Sequence, residues 1–341
     1  MTYTSRQVRL ASRPTGFPTA ENFSIEDHPV RPLEEGEALL RTLYLSLDPY
    51  MRGRMNEGRS YAEHLQVGDI MLGGTVSEVI ESRSAEVTPG QIVVGGAGWQ
   101  TFSVEAAAGL RVIDPDDAPI STALGVLGMT GFTAYSGLLA IGRPQAGETL
   151  AVAAATGPVG ATVGQIAKLK GMRTIGIAGG PEKVAYLREL GFDAAVDHRR
   201  DDLAEQIAEA APDGIDVYFE NVGGAVWEAV LPHLNLFGRV PVCGLAANYN
   251  ATGAPAGPDR SQQLLQTVLN QSLTIRGFIQ TEFQETQFES FLRDMGAWVR
   301  EGRITYREDI TDGLDNAPET FIGMLSGKNF GKTLIRVADD A

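Results

Sequence analysis

Cysteine and histidine are scarce in this chain. Of 341 residues, one is cysteine, Cys243, and four are histidine: His28, His64, His198 and His233. A single cysteine excludes a disulfide within the chain and suits a reducing compartment. A catalytic zinc takes about three Cys, His or carboxylate ligands, and a structural zinc commonly four. No C-x-x-C occurs and no histidine pair has ligand spacing, so no metal is expected. Long apolar runs are also missing. Nothing approaches the roughly 18 residues of a membrane span, and the segment from Met1 to Arg9 has no apolar core of signal-peptide length. The expected location is therefore cytoplasmic, with no membrane partner. Excess positive charge is absent too. A net charge of −15 argues against nucleic acid and anionic membranes, which reward clustered Lys and Arg. It leaves room for a small anion, which needs only local positive potential. There is no G-x-S-x-G elbow, no Ser/His/Asp arrangement stands out, and no repeat or low-complexity segment appears.

What is present divides in two. The length favours two domains, and 43% hydrophobic residues can fill sizeable cores. The 40 glycines are scattered rather than periodic and so mark turns and close backbone approaches. Residues 1–122 read as short strands punctuated by Gly, Pro and Asp, the pattern of an antiparallel barrel or sandwich. From Ala123 onward strands and helices alternate. The strand candidates are Thr149–Ala154, Arg173–Ala178, Ala194–Asp197, Asp216–Phe219, Arg239–Cys243 and Leu273–Phe278. The helix candidates are Val159–Lys170, Glu182–Leu190, Leu203–Ala210, Ala225–Leu234 and Ser261–Gln271, with a further one over Glu289–Glu301. Such alternation predicts an α/β domain with a doubly wound parallel sheet, assigned to residues 123–295. Residues 296–341 return to short strands and are expected to pack on the first domain. The Gly/Pro/Ala-rich stretch 246–258 is a long loop, and long loops in compact domains are often functional.

The first strand of the alternating region runs straight into a glycine turn, Ala155-Thr-Gly157-Pro158-Val159-Gly160, and then into a helix. Strand, tight turn and helix place a pyrophosphate on a helix N-terminus. The spacing is that of G-x-G-x-x-G with Ala155 in the first place; the alternative is an ordinary strand–helix turn. The second strand selects the dinucleotide. NAD enzymes usually carry Asp or Glu about 20 residues on. Here the tip reads Ala178-Gly179-Gly180, with no carboxylate, and Lys183 follows. A missing carboxylate and a nearby cation suit a 2′-phosphate, hence NADPH, although Lys183 also reads as a solvated helix residue beside Glu182. Tyrosine is then the most plausible reacting side chain. Tyr50 sits in a turn, Asp48-Pro49-Tyr50-Met51-Arg52, and Tyr249 in the loop after the fifth strand. A phenol there can donate to a developing enolate oxygen; the alternative for each is a half-buried core tyrosine.

Taken together, several segments resemble the medium-chain dehydrogenase/reductase superfamily, within it the zinc-free branch of prostaglandin reductases (leukotriene B4 12-hydroxydehydrogenases), alkenal double-bond reductases and curcumin reductases. They are the stretch from Leu45 to Met55, that from Leu127 to Tyr135, the glycine turn, the stretches 182–193, 218–224 and 242–250, and Gly327-Lys-Asn-Phe-Gly-Lys-Thr333. The resemblance implies a GroES-like barrel joined to a Rossmann domain, with the active site in the cleft between them. It implies NADPH-dependent reduction of the carbon–carbon double bond of an α,β-unsaturated ketone or aldehyde, and a homodimer, for which a sheet edge near Leu273–Phe278 is available. It also implies roles. Gly157, Pro158, Val159 and Gly160 hold the pyrophosphate, and Lys183 the 2′-phosphate. Asn221, Cys243 and Gly244 line the adenosine and ribose region. Met129, Thr133, Phe278 and Ile279 adjoin the nicotinamide, and Asn329 closes over the cofactor. Tyr249 sits by the substrate carbonyl and Tyr50 lines the pocket. One departure stands out: relatives often place a tyrosine near the 2′-phosphate where this chain has His198, followed by Arg199 and Arg200. Rival readings are quinone reduction, oxidation of allylic alcohols, and dinucleotide binding without turnover.

Overall fold

The computed structural model describes residues 3–58, 60–253 and 258–339. Their contacts divide the chain into two units, residues 1–125 with 308–341, and residues 126–307. In chain order the first part carries β1 (Thr4–Leu10), β2 (Phe23–Pro29), β3 (Glu37–Ser46), α1 (Tyr50–Arg54), β4 (Thr75–Ser82), β5 (Ile92–Gly95), β6 (Phe102–Ala106) and β7 (Arg111–Ile113). The inserted part begins with α2 (Met129–Ser136), β8 (Thr149–Ala153), α3 (Pro158–Leu169), β9 (Arg173–Ala178), α4 (Pro181–Glu189), β10 (Ala194–Asp197) and α5 (Leu203–Ala210). It continues with β11 (Ile215–Phe219), α6 (Gly224–Val230), β12 (Leu234–Val242), α7 (Ser261–Asn270), β13 (Thr274–Gly277) and α8 (Gln284–Arg300). The return adds β14 (Glu308–Asp312), α9 (Ala317–Leu325) and β15 (Lys332–Arg336).

The first unit is built round β3, which is buried along most of its length. It pairs antiparallel with β4, β6 and β15 in a seven-stranded sheet, ordered β14-β15-β3-β4-β5-β7 with β6 on β3. Only β14 and β15 run parallel there. Phe23 stacks on Trp99, and Phe321 of α9 meets both rings edge-on, so the returning segment helps fill this core. It also brings a charge inside. Lys332 Nζ lies 2.6 Å from Asp48 Oδ1 and donates to Leu47 O at 2.9 Å, and both side chains are almost wholly enclosed. Ser46 Oγ donates to the other carboxylate oxygen. Asp48 is thus held by two side chains, two residues before Tyr50. On α1 itself the buried Arg52 donates to Gly16 O at 2.7 Å and to Asn56 Oδ1 at 2.6 Å.

The second unit holds a six-stranded sheet, all parallel, in the order β10-β9-β8-β11-β12-β13. Every residue of β8 is buried, as expected for a strand covered on both faces. One face packs Val163, Ile166 and Ala167 of α3 with Phe132 and Phe291. The other packs Leu203 and Ile207 of α5 with Val226 and Val230 of α6. The order reverses between β8 and β11, the switch point where open α/β sheets bind ligands. Helix α8 runs on to Arg300, so residues 296–307 belong to this unit and not to the return. Three further differences from the periodicity are local. Helix α6 stops at Val230 because Pro232, which has no N–H to donate, opens a single tighter turn over Leu231–His233. Strand β12 accordingly starts at Leu234, with Phe237 in a left-handed conformation (φ 64°) that shifts its pairing. Helix α8 starts at Gln284, five residues earlier than the pattern suggested.

Candidate functional site

The carboxyl ends of β8, β9, β10, β11 and β12 carry most of the residues singled out above. At the tip of β8 the chain turns through Ala154, whose φ of 50° is left-handed. This aims Ala154 O back at the turn, where Gly157 N donates to it at 2.9 Å. A Cβ on Gly160 would lie 2.4 Å from that oxygen and 2.8 Å from Ala155 Cα. The helix can therefore approach the strand only with glycine there. The bend itself sits at Ala154, one residue before the fingerprint's first place, while Ala155 is fully buried and donates to Ile177 O of β9. Gly157 caps α3, a 12-residue helix with Pro158 and Val159 in its first turn. A close-fitting turn ahead of a long helix N-terminus fits a pyrophosphate.

Across the switch point Asn221 Nδ2 donates to Ala153 O at 2.8 Å and ties the tip of β11 to that of β8. Sequence reasoning missed Glu220 beside it. Its Oε1 accepts from Val222 N at 2.6 Å and Gly223 N at 2.9 Å, and so shapes the turn. Burial pushes the Glu220 carboxyl up, against the pull of those donors. The signal was a carboxylate at a strand end ahead of Gly-Gly. At the tip of β12, Cys243 N and Gly244 N both donate to Glu220 O. Burial pushes the Cys243 thiol up to about 12. A Cβ on Gly244 would stand 2.8 Å from the Tyr249 hydroxyl. The phenol of Tyr249 thus lies against the backbone at the end of β12, and the glycine is what admits it. Of the 246–258 loop, residues 254–257 lie outside the described residues.

The tip of β9 is carboxylate-free, and basic side chains converge on it. A Cβ on Gly179 would meet His198 Nε2 at 2.7 Å and Arg199 Nε at 2.8 Å. Asp197, which the sequence reading did not single out, organises this corner. Its Oδ1 accepts from Gly180 N at 2.8 Å and Arg199 N at 3.0 Å. Burial raises the Asp197 pKa, but those donors outweigh it and hold the carboxyl below its ordinary value. Arg200 turns away and pairs with Asp202 through Nε at 2.9 Å. Crowding by protein lowers the His198 pKa, and Arg199 and Lys183 push it down further against the pull of Asp197.

The remaining residues are less gathered. Met129 is partly exposed at the start of α2, and Thr133 Oγ1 donates back to Met129 O. Phe278 is turned inward: its ring is buried and edge-on to Phe219 at 6.1 Å, leaving its backbone and the exposed Ile279 for any ligand. Asn329 and Tyr50 belong to the first unit. Asn329 Nδ2 donates to Gly331 O. Burial and the Asp48 carboxylate push the Tyr50 phenol up, so it stays a donor at neutral pH. Among the described residues no three His, Cys, Asp or Glu side chains form a metal-sized group, and no helix is long and apolar enough to cross a membrane.

Comparison with known proteins fits this arrangement. Residues 6–113 match the family model described as the N-terminal domain of oxidoreductase, and residues 158–295 that described as zinc-binding dehydrogenase. The NADPH-dependent curcumin reductase of Escherichia coli is 55% identical over 98% of each chain. The chain belongs to the zinc-free branch of the medium-chain dehydrogenase/reductase family. Rat prostaglandin reductase 1 is 44% identical over 94% of this chain and 95% of its own. The crystal structure of CurA from Vibrio vulnificus in complex with NADPH superposes with a TM-score of 0.95 at 49% identity, covering 98% of this chain and all of the other. A GroES-like first unit and a Rossmann second unit are the architecture of this family.

Proposed function

We propose that this protein is an NADPH-dependent reductase of the carbon–carbon double bond of α,β-unsaturated ketones and aldehydes. What carries the reading is 55% identity to a curcumin reductase along nearly the whole of both chains. The turn at Gly157–Gly160 and the N-terminus of α3 would hold the pyrophosphate, Asn221, Cys243 and Gly244 the adenosine side, and Lys183 and His198 the 2′-phosphate. Bound there, NADPH supplies a hydride for the β-carbon of the conjugated alkene. The chain's own part is to orient and to stabilise charge. Tyr249 donates its phenolic proton in a hydrogen bond to the carbonyl oxygen, where negative charge gathers. The backbone at Gly244 fixes the height of that hydroxyl. Tyr50 keeps its proton because burial and the Asp48 carboxylate push its pKa up, so it is a second phenol able to donate a hydrogen bond. Removing one such donor typically costs about 2.7–4 kcal/mol. Tyr249→Phe should therefore lower kcat at least about tenfold while the Kd for NADPH stays unchanged. An unaltered kcat would remove Tyr249 from the reaction. NADPH oxidation against enals, enones and simple quinones, with NADP-dependent oxidation of allylic alcohols alongside, separates this reading from its rivals. Equal or greater turnover of quinones would reassign the substrate class, and binding without turnover would make the chain a sensor. We further propose a cytoplasmic homodimer. Support comes from β13, an exposed edge strand, and from Leu265 and Leu269 of α7, which are 61% and 73% exposed.

A further inference from the structure

We propose that His198 and Arg199 together read the 2′-phosphate of the dinucleotide, and that His198 takes up a proton as the phosphate binds. The inference rests on the reading that the adenosine end lies at the tip of β9, and it adds a proton to that binding step. The geometry is specific. His198 Nε2 and Arg199 Nε both lie within 3 Å of where a Gly179 side chain would begin. Two basic side chains thus pack together on the bare backbone of Gly179 at the strand tip, where any side chain would displace them. Asp197 holds the corner rigid through Gly180 N and Arg199 N, and the neighbouring Arg200 is engaged by Asp202.

The charged groups facing the imidazole are Arg199 and Asp197 from its own turn and Lys183 from the first turn of α4. Glu182 on that turn is exposed. The imidazole is exposed, and the protein around it, then Arg199 and Lys183, lower its titration point in the free protein against the pull of Asp197. A phosphate dianion brought among these groups reverses the balance, because an adjacent anion favours the protonated ring. The histidine pKa is then higher in the complex than in the free protein. Binding is therefore strongest below the free-state pKa, and the gain fades as pH rises through the bound-state value. A tyrosine or asparagine at position 198 would donate without any such coupling. The dinucleotide lacking the 2′-phosphate brings no charge to this spot, so its affinity carries no such pH dependence.

Isothermal titration calorimetry of the full chain with NADP+ and with NAD+, from pH 6.5 to 8.5, tests the coupling. This range lies above the roughly 6 at which a phosphate monoester loses its second proton. Each titration is run in two buffers of different ionisation enthalpy, so that proton uptake is read directly. NADP+ should bind with net proton uptake and about three- to tenfold more tightly at pH 6.5 than at 8.5, the order of one charge-assisted contact at a wet surface. NAD+ should show neither. His198→Gln should abolish the uptake and flatten the slope while binding NADP+ within about twofold of the parent at pH 8.5. Arg199→Gln should weaken NADP+ by roughly tenfold at every pH and leave NAD+ unaffected. A parent protein that prefers NADP+ yet takes up no proton, or a slope that survives in His198→Gln, overturns the inference and leaves the NADPH reading intact. A parent protein with no preference for NADP+ over NAD+ overturns both.

Discussion

Cys243 stands at the end of β12 with its amide on Glu220 O, and its thiol is held in the protonated form by burial and by the Glu220 carboxylate. The thiolate is the reactive form of cysteine, and with a pKa near 12 it is negligible at pH 7.5. We expect iodoacetamide to leave the folded protein unmodified at that pH and to alkylate Cys243 once the chain is unfolded in guanidinium, as followed by intact mass. Rapid labelling of the native protein would mean that the turn after β12 opens. At this scale the sequence was a partial guide. Glycines, a bare strand tip and a lysine single out the proposed cofactor region because their meaning is local. Which of Arg199 and Arg200 faces Gly179 was not legible, since it depends on Asp202 capturing the second. The resemblance implies a nicotinamide contact for Phe278, but that its ring is buried edge-on to Phe219 was not legible, because packing across the sheet sets it.

The turn between β8 and α3 shows what an element adds. Ala154 accepts a left-handed backbone, and Gly160 accepts a carbonyl where any other residue has its Cβ. The obstacle at Gly160 is backbone, so it cannot swing aside as a side chain would. Gly160→Ala should lower stability by about 1–3 kcal/mol, the usual range for overpacking, and weaken NADP+ binding as α3 is levered off the strand. Thermal unfolding and a fluorescence titration would read the two effects. A variant with the parent Tm and the parent Kd would show that the helix can shift freely. Strands β8 to β11 and helices α3 and α5 follow from periodicity almost residue for residue, because burial on one helix face or on the sheet faces repeats regularly. The start of β12 does not, because Phe237 enters it in a conformation that no pattern of apolar residues encodes.

For the whole molecule, the acidic charge argues against nucleic acid, and the alternation of strands and helices predicts the parallel sheet of the second unit. They say less about association. Leu236 and Phe237 of β12 and Leu265 and Leu269 of α7 are all exposed, and Phe237 N donates to Gln271 O just past the end of that helix. Light scattering should give the mass of a dimer for the parent protein and of a monomer for Leu265→Lys/Leu269→Lys. A monomeric parent would assign this apolar face elsewhere. The first unit has its own history. Its central strand β3 is completed by β15, and Asp48 waits for a lysine 284 positions later. At about 5–20 residues per second of synthesis, that wait lasts roughly a quarter of a minute to a minute. Until the ribosome has released residues 332–336, an edge of β3 and a carboxylate meant for the interior stand open to water and to chaperones. The nascent chain can thus finish its cofactor-binding half before it is able to close the half that was made first.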